Sequence, residues 1–359
     1  MVTGIRGRRG DGGLRSASRL VALLLVPLCA CKPALDETVS LVTEPQVLGV
    51  QATPAEGAPS ASVAFTALIV DGNGPIPSAP IAWDFCNARN PLANLGPVSA
   101  ECLQANDPNL VSIGTGPQAS GVIPDIACRQ FGPEVPESVG NETPGRPVDP
   151  DSTGGYYQPV SLFIPTSPGL VTALYGMRIS CGLAEGTSDQ ANDYLARYHL
   201  NVNPAVASLT AGGAPWTMDP AGTANTVSIG QSVELEVGWA TCPLSDTCGD
   251  GICGADESLA SCPADCTTPQ GCSGAERYVN FDLGSQSLFD DREGIHVSWF
   301  ATGGSFGLDR TGNDGSDTTT TTSDNLWAAP GQPGTVHMWI VLHDDRGGIG
   351  WGAYTLQVQ

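Results

Sequence analysis

Along the chain, apolar residues fall in short runs that alternate with polar ones every second position, separated by turn residues. That period of two is the signature of half-buried strands. Residues 47–52, 62–70 and 81–86 are read as strands, with Trp83 and Phe85 sharing one face of the third. Strands resume at 157–164 and 170–181, where Ala173, Tyr175, Met177, Ile179 and Cys181 share a face. One short helix is expected at 189–198. At 232–239 the alternation is clean: Val233, Leu235, Val237 and Trp239 face inward, and Glu234 and Glu236 face water. Further strands are expected at 295–301, at 335–343, which is apolar on both faces and therefore central in its sheet, and at 351–358. Short strands at this spacing, with almost no helix, predict an all-β protein.

Between the strands, 87–155 is rich in Pro, Gly and Asn and reads as a cysteine-containing insertion, while 309–324, with five threonines in a row, reads as a flexible loop. A second cysteine-dense block spans 242–272. The expected architecture is two β-sandwiches in tandem, 45–203 and 204–359, each with a disulfide-rich insertion. Residues 32–44 read as a tether.

Composition adds compartment. The 359 residues include 45 Gly and 29 Pro, which suit many turns. There are 15 Lys and Arg against 37 Asp and Glu, and five arginines crowd the first nineteen positions. Removing those five and Asp11 leaves 10 basic and 36 acidic residues, a net charge of −26. Such a chain offers no broad basic surface for DNA, RNA or anionic lipid. Behind the basic N-terminus, residues 20–28 form a short apolar stretch, too short to span a bilayer. The stretch Leu28-Cys29-Ala30-Cys31 resembles the bacterial lipobox, which makes 1–31 a lipoprotein signal peptide and Cys31 the lipidated first residue. Three acyl chains would make detachment very slow, at about 0.8 kcal/mol per buried CH2. By resemblance to Gram-negative lipoproteins, Lys32 fits the outer membrane or cell surface. Ten cysteines then remain: Cys86, Cys102, Cys128, Cys181, Cys242, Cys248, Cys253, Cys262, Cys266 and Cys272. An even number in an exported chain is consistent with five disulfides. Cys181 is expected to pair with Cys86 or with a cysteine of the first insertion.

The sequence around Trp327-Ala-Ala-Pro330, Pro333-Gly-Thr-Val336 and Asp345-Arg-Gly-Gly348 resembles the end of bacterial immunoglobulin-like or PKD-like modules. The resemblance is good over residues 275–359 and loose over the first half. It implies an immunoglobulin-like sandwich in which Trp327 plugs one end, and a spacer, stalk or adhesive role without a transferable ligand. The block Cys248-Gly-Asp-Gly-Ile-Cys253, Glu257, Cys262-Pro-Ala-Asp-Cys266 resembles a CGDGxC-type cysteine-rich repeat of secreted bacterial proteins. It implies a stapled knob whose four cysteines pair among themselves, with Cys242 and Cys272 placed to close its base.

Candidate chemistry is sparse. Asp250, Asp256, Glu257 and Asp265 put hard oxygen ligands on the knob and make calcium the one cofactor to consider. Of the four histidines, His337 and His343 share a strand face but stand about 20 Å apart, too far to share a metal. His199 and His296 belong to no metal-ligand motif, and Ser180 lacks a nucleophile elbow. The carboxylate pairs Asp290/Asp291 and Asp344/Asp345 are adjacent in sequence, which in strands points them apart. Trp83, Trp239, Trp299 and Trp339 read as core. Trp216, Trp327 and Trp351 lie near loops and edges, where exposed indoles would form a platform for sugar rings. The reading is a non-catalytic, lipid-anchored surface protein with a structural or protein-binding role, ahead of carbohydrate binding and of an exported hydrolase.

Overall fold

The alternation in 46–53 and 62–71 builds β1 (Gln46–Thr53) and β3 (Ser62–Asp71), which pair antiparallel. The computed structural model describes residues 39–359 apart from 91–97, 137–144, 168, 184–185, 221–223, 243–247, 249–256, 258–259, 264–270 and 318–319. Thr38–Gln359 forms one unit. Its first half also contains β2 (Glu56–Gly57), β4 (Gly74–Pro75), β5 (Ala82–Cys86), β6 (Leu110–Thr115), β7 (Gln118–Val122), β8 (Tyr156–Pro165) and β9 (Leu170–Ile179). One sheet places β1, β4 and β7 around β3, and the other runs β2-β9-β8-β5-β6. Between them lie Val50, Phe65, Ile81, Trp83, Phe85 and Leu162, all buried, with Phe65 stacked on Trp83 and edge-on to Phe85 and Tyr175.

The insertion expected at 87–155 is stapled through Cys102 and Cys128 and also supplies two strands. The β6–β7 corner carries the chain from one sheet to the other, β6 pairing with β5 and β7 with β3. Its corner is held by the Trp83 indole, which donates to the Gly116 carbonyl at 2.8 Å. Gly116 has φ +108°, a conformation that favours glycine. The strands escaped sequence reading because they are mostly small or polar residues at the edge of the sandwich.

After α1 (Ala127–Phe131) in the first half, α2 (Ser188–Arg197) follows β9. Thr187 and Gln190 close α2's N-terminus with a reciprocal capping box. The second half contains β10 (Val206–Ala211), β11 (Ala214–Pro215), β12 (Asn225–Val227), β13 (Ser232–Trp239), β14 (Arg277–Asp282), β15 (Ser287–Arg292), β16 (Ile295–Ala301), β17 (Ser305–Phe306), β18 (Arg310–Asn313), β19 (Thr322–Ala328), β20 (Gly334–Asp344) and β21 (Ile349–Val358). Two five-stranded sheets, β11-β10-β13-β19-β17 and β12-β21-β20-β16-β18, enclose a second core, and β14–β15 is a separate hairpin. The architecture is thus all-β, with tandem immunoglobulin-like sandwiches. The loop expected at 309–324 is shorter than anticipated, because Arg310–Asn313 pairs with β16 and β19 begins at Thr322.

β20 explains its own pattern. Val336, Met338, Ile340 and Leu342 point into the second core. Trp339 and Val341, on the other face, join Ile349 in the first core. A strand apolar on both faces is therefore buried twice, once in its own sandwich and once against its neighbour. The end of the expected tether is also held: the Val42 amide donates to the Ala301 carbonyl, the Ala301 amide donates to Ser40, and Val42 is fully buried.

Four disulfides are seen among the described residues: Cys86–Cys102, Cys128–Cys181, Cys242–Cys272 and Cys248–Cys262. Cys253 and Cys266 lie outside the described residues, as does Cys31.

Candidate functional site

Among the described residues, those singled out from the sequence do not all converge on one site. Asp250, Asp256 and Asp265 lie outside the described residues. Glu257 is buried, within 4.8 Å of the sulfurs of Cys248 and Cys262. Those sulfurs are bonded to each other, so they offer a metal no thiolate. The indole platform does not form. Trp327 is fully buried in the second core, where its indole donates to the Gly303 carbonyl at 3.3 Å. Trp216 packs partly buried against that core, whereas Trp351 packs against the first. The burial of Trp327 fits the resemblance that has it plug one end of the sandwich, and not a place on a sugar platform.

The four histidines do not gather at one place, although His296 and His343 are cross-strand neighbours. His296, half exposed, faces Asp345 Oδ1 at 3.0 Å with no serine beside the pair in its hydrogen bonding. His337 stacks on Trp339. His343 lies opposite His296 across β16 and β20. Burial, with Arg310 and His296 adding to it, lowers His343 to about 4. Asp290 pairs with Arg197 and Arg277, whereas Asp291 accepts from Tyr278, as opposed directions along a strand require.

What the fold does bring together is a sealed ion cluster in the seam between the sandwiches. Arg346, in the β20–β21 turn, is its centre and is 0% exposed. Its Nε donates to Glu293 Oε1 at 2.6 Å, one terminal nitrogen donates to Glu276 Oε2 at 2.8 Å, and the other donates to the His199 carbonyl at 3.2 Å. The guanidinium lies over the Tyr278 ring, 4.7 Å from its centroid. Burial opposes its charge, but Glu293 and Glu276 hold it above its usual range. Burial in turn pushes both carboxyls up, against the pull of Arg346.

Glu276 also accepts from the Val202 and Cys272 amides, tying the seam to the base of the cysteine-rich block. Glu56, from β2, accepts from Ser180, Tyr198 and the Asn201 amide, and stands 3.4 Å from Arg178 of β9. Arg178 donates onward to Thr153 and Tyr157. Glycine is needed at two of these approaches: a Cβ on Gly155 would stand 2.1 Å from Arg178, and one on Gly348 would stand 2.1 Å from Asp344 Oδ2.

His199 Nε2 lies 2.6 Å from the Arg277 carbonyl, so that nitrogen carries the proton. Burial, and next Arg346, lower His199 to about 4, which leaves the ring neutral near pH 7. None of Glu56, Arg178, Glu276, Glu293 and Arg346 was a candidate from sequence. The available signal was scarcity: in a chain so poor in basic residues, an arginine at 178 inside an apolar strand and another at 346 in a turn each need a buried partner.

No family model matches the chain, and no curated protein matches it. Similar solved structures include a chimeric titin Z1Z2 carrying a KLER peptide from decorin, at 12% identity, covering 89% of this chain and 98% of that one with a TM-score of 0.18. The Yersinia pseudotuberculosis adhesin InvE is 11% identical over 87% of this chain and 58% of that one, with a TM-score of 0.19. A structure of carbohydrate-binding modules of the β-sandwich superfamily is 10% identical over 86% and 98%, also at 0.19. Likeness at these scores carries no argument about this chain, whose fold is read from its own sheets.

Proposed function

We propose that the chain is a non-catalytic surface module, anchored through Cys31 to the outer membrane or cell surface of a Gram-negative bacterium, that acts as a rigid spacer or a protein-binding unit. The observation that supports this is the use made of its buried charge. Arg346, Glu276 and Glu293 are sealed from solvent in the second sandwich, where Arg346 and Glu276 grip the joining segment at the His199 carbonyl and the Val202 amide, while Glu56 of the first sandwich grips Tyr198 and Asn201 of the same segment. Groups held in this way are positioned to stiffen the joint between the sandwiches rather than to meet a substrate. Buried polar groups that hydrogen-bond across a seam fix its geometry as well as its energy.

Two measurements test the reading. In the native host, labelled fatty acid should enter the wild-type protein and not Cys31→Ala; labelling of the variant, or a mature N-terminus beyond Cys31, rejects the anchor. In calorimetry the two sandwiches should unfold as one transition, with calorimetric and van't Hoff enthalpies equal. Two separated transitions would reject the rigid spacer.

A further inference from the structure

The face of β16 and β20 that turns away from the second core carries three metal-ligating side chains at one end of the ladder. His296 and His343 stand directly opposite each other across it. Opposed residues of an antiparallel pair share a face, with Cβ atoms about 4.5–5.5 Å apart. His343 and Asp345 are two positions apart, so the alternation that turns Asp344 inward, to 5% exposure, sends Asp345 to the side of the two imidazoles. There His296 Nε2 lies 3.0 Å from Asp345 Oδ1, while Asp345 Oδ2 accepts from the Gly294 amide and is fixed by it.

The neighbouring strand leaves this group open. Gly312 of β18 is the residue opposite His296 on its other side, and it has no side chain to cover the ring. The side chains of His296 and Asp345 are 55% and 33% exposed. The His343 ring feels the charges of Arg310 and His296, and among the described residues it makes no side-chain hydrogen bond. An imidazole with an unused ring nitrogen thus stands beside an imidazole already paired with a carboxylate.

We infer that His296, His343 and Asp345 form a surface site for a divalent transition-metal ion of the zinc type, with the remaining coordination position open to water. The His296–Asp345 separation fits such an ion. Bonds of about 2.0–2.1 Å to imidazole and about 2.0–2.2 Å to carboxylate, at tetrahedral angles, hold neighbouring ligand atoms roughly 3.3 Å apart. Ligation through Nε2 moves the His296 proton to Nδ1, and the ion replaces the hydrogen bond to Asp345. Among the described residues only Cys248, Glu257 and Cys262 already stand as a three-ligand set within 4.8 Å, so His343 completes the surface site by turning its ring towards the other two. Two imidazoles select zinc, nickel or copper over the hard cations calcium and magnesium. Charge favours the ion as well. A Cβ on Gly294 would stand 3.1 Å from both Asp314 Cα and Asp345 Oδ2, which places a second acid beside the site, with Arg310 as the opposing cation. The strongly acidic chain draws cations to its surface.

Zinc chloride titrated into the full chain by calorimetry, without a polyhistidine tag and with disulfides intact, should bind saturably at one ion per chain. His296→Ala, His343→Gln and Asp345→Asn should each weaken it by about 10-fold or more, at least the loss expected from removing an outer-shell partner of a metal ligand. In the 15N-histidine-labelled chain, zinc should shift the ring nitrogens of His296 and His343 and leave those of His199 and His337 in place. Glu257→Gln should bind as the wild type does. Absence of saturable binding, undiminished binding in His296→Ala, or displacement of zinc by an equal concentration of calcium overturns the site. Loss of binding in Glu257→Gln overturns it too, by moving the ion to the cysteine-rich block. Should His343→Gln fail to fold, His296→Ala and Asp345→Asn, both at more open positions, decide together with the ring-nitrogen shifts.

Discussion

Arg346 donates its Nε–H to Glu293 across 2.6 Å, and both side chains are 0% exposed. Neither charge has access to water, so each depends on the other. Removing one member of such a pair strands the other in a low-dielectric site. Arg346→Met should therefore lower unfolding free energy by about 3–5 kcal/mol in a urea titration. Adding Glu293→Gln to that variant should recover part of the loss. A double-mutant cycle with no coupling between the two positions would show that the pair is screened after all.

Trp327→Ala should behave as a core deletion. The side chain is fully buried between the second pair of sheets. A loss of about 3–5 kcal/mol is expected, whereas a surface indole would cost far less. Trp216→Ala, at a half-buried position on the rim of the same core, should cost clearly less. Equal losses would place Trp216 in the core as well.

The two disulfides of the first sandwich should differ in worth. Cys128 and Cys181 are 53 residues apart in sequence, Cys86 and Cys102 only 16. Loop-closure entropy in the unfolded chain then favours the longer bridge, about 4 kcal/mol against about 3. Replacing each pair by alanines and comparing denaturation midpoints under oxidising conditions checks the order. The reverse order would place the difference in the native packing rather than in the unfolded chain.

His343 should make the protein sensitive to acid. Burial, then Arg310 and His296, lower it to about 4, so the unfolded chain takes up a proton there before the folded chain does. Stability at this position is complete above about pH 6.5 and is lost as pH falls towards 4. His343→Gln should therefore lose less melting temperature than wild type between pH 7 and pH 4.5, by on the order of a few degrees. Parallel curves for the two proteins would contradict this.

The elements most legible in the sequence were those whose pattern is local. At β13, Val233, Leu235 and Val237 are buried and Glu234 and Glu236 exposed, as their alternation required. The Trp83, Trp239, Trp299 and Trp339 indoles are all core. β6, β7 and β18 were hidden, because small and polar edge residues carry little periodic signal.

Period-two alternation, turn residues and paired cysteines by themselves determined the all-β class of this chain, since each acts within a few residues of itself. The tertiary structure alone decided which apolar face was buried twice on β20, and that Glu56, Arg178, His199, Glu276, Glu293, Asp344 and Arg346 meet in one sealed seam. Those seven come from segments up to 290 positions apart in the chain. A buried charge is tolerated only where distant partners arrive to balance it, and no local pattern announces their arrival.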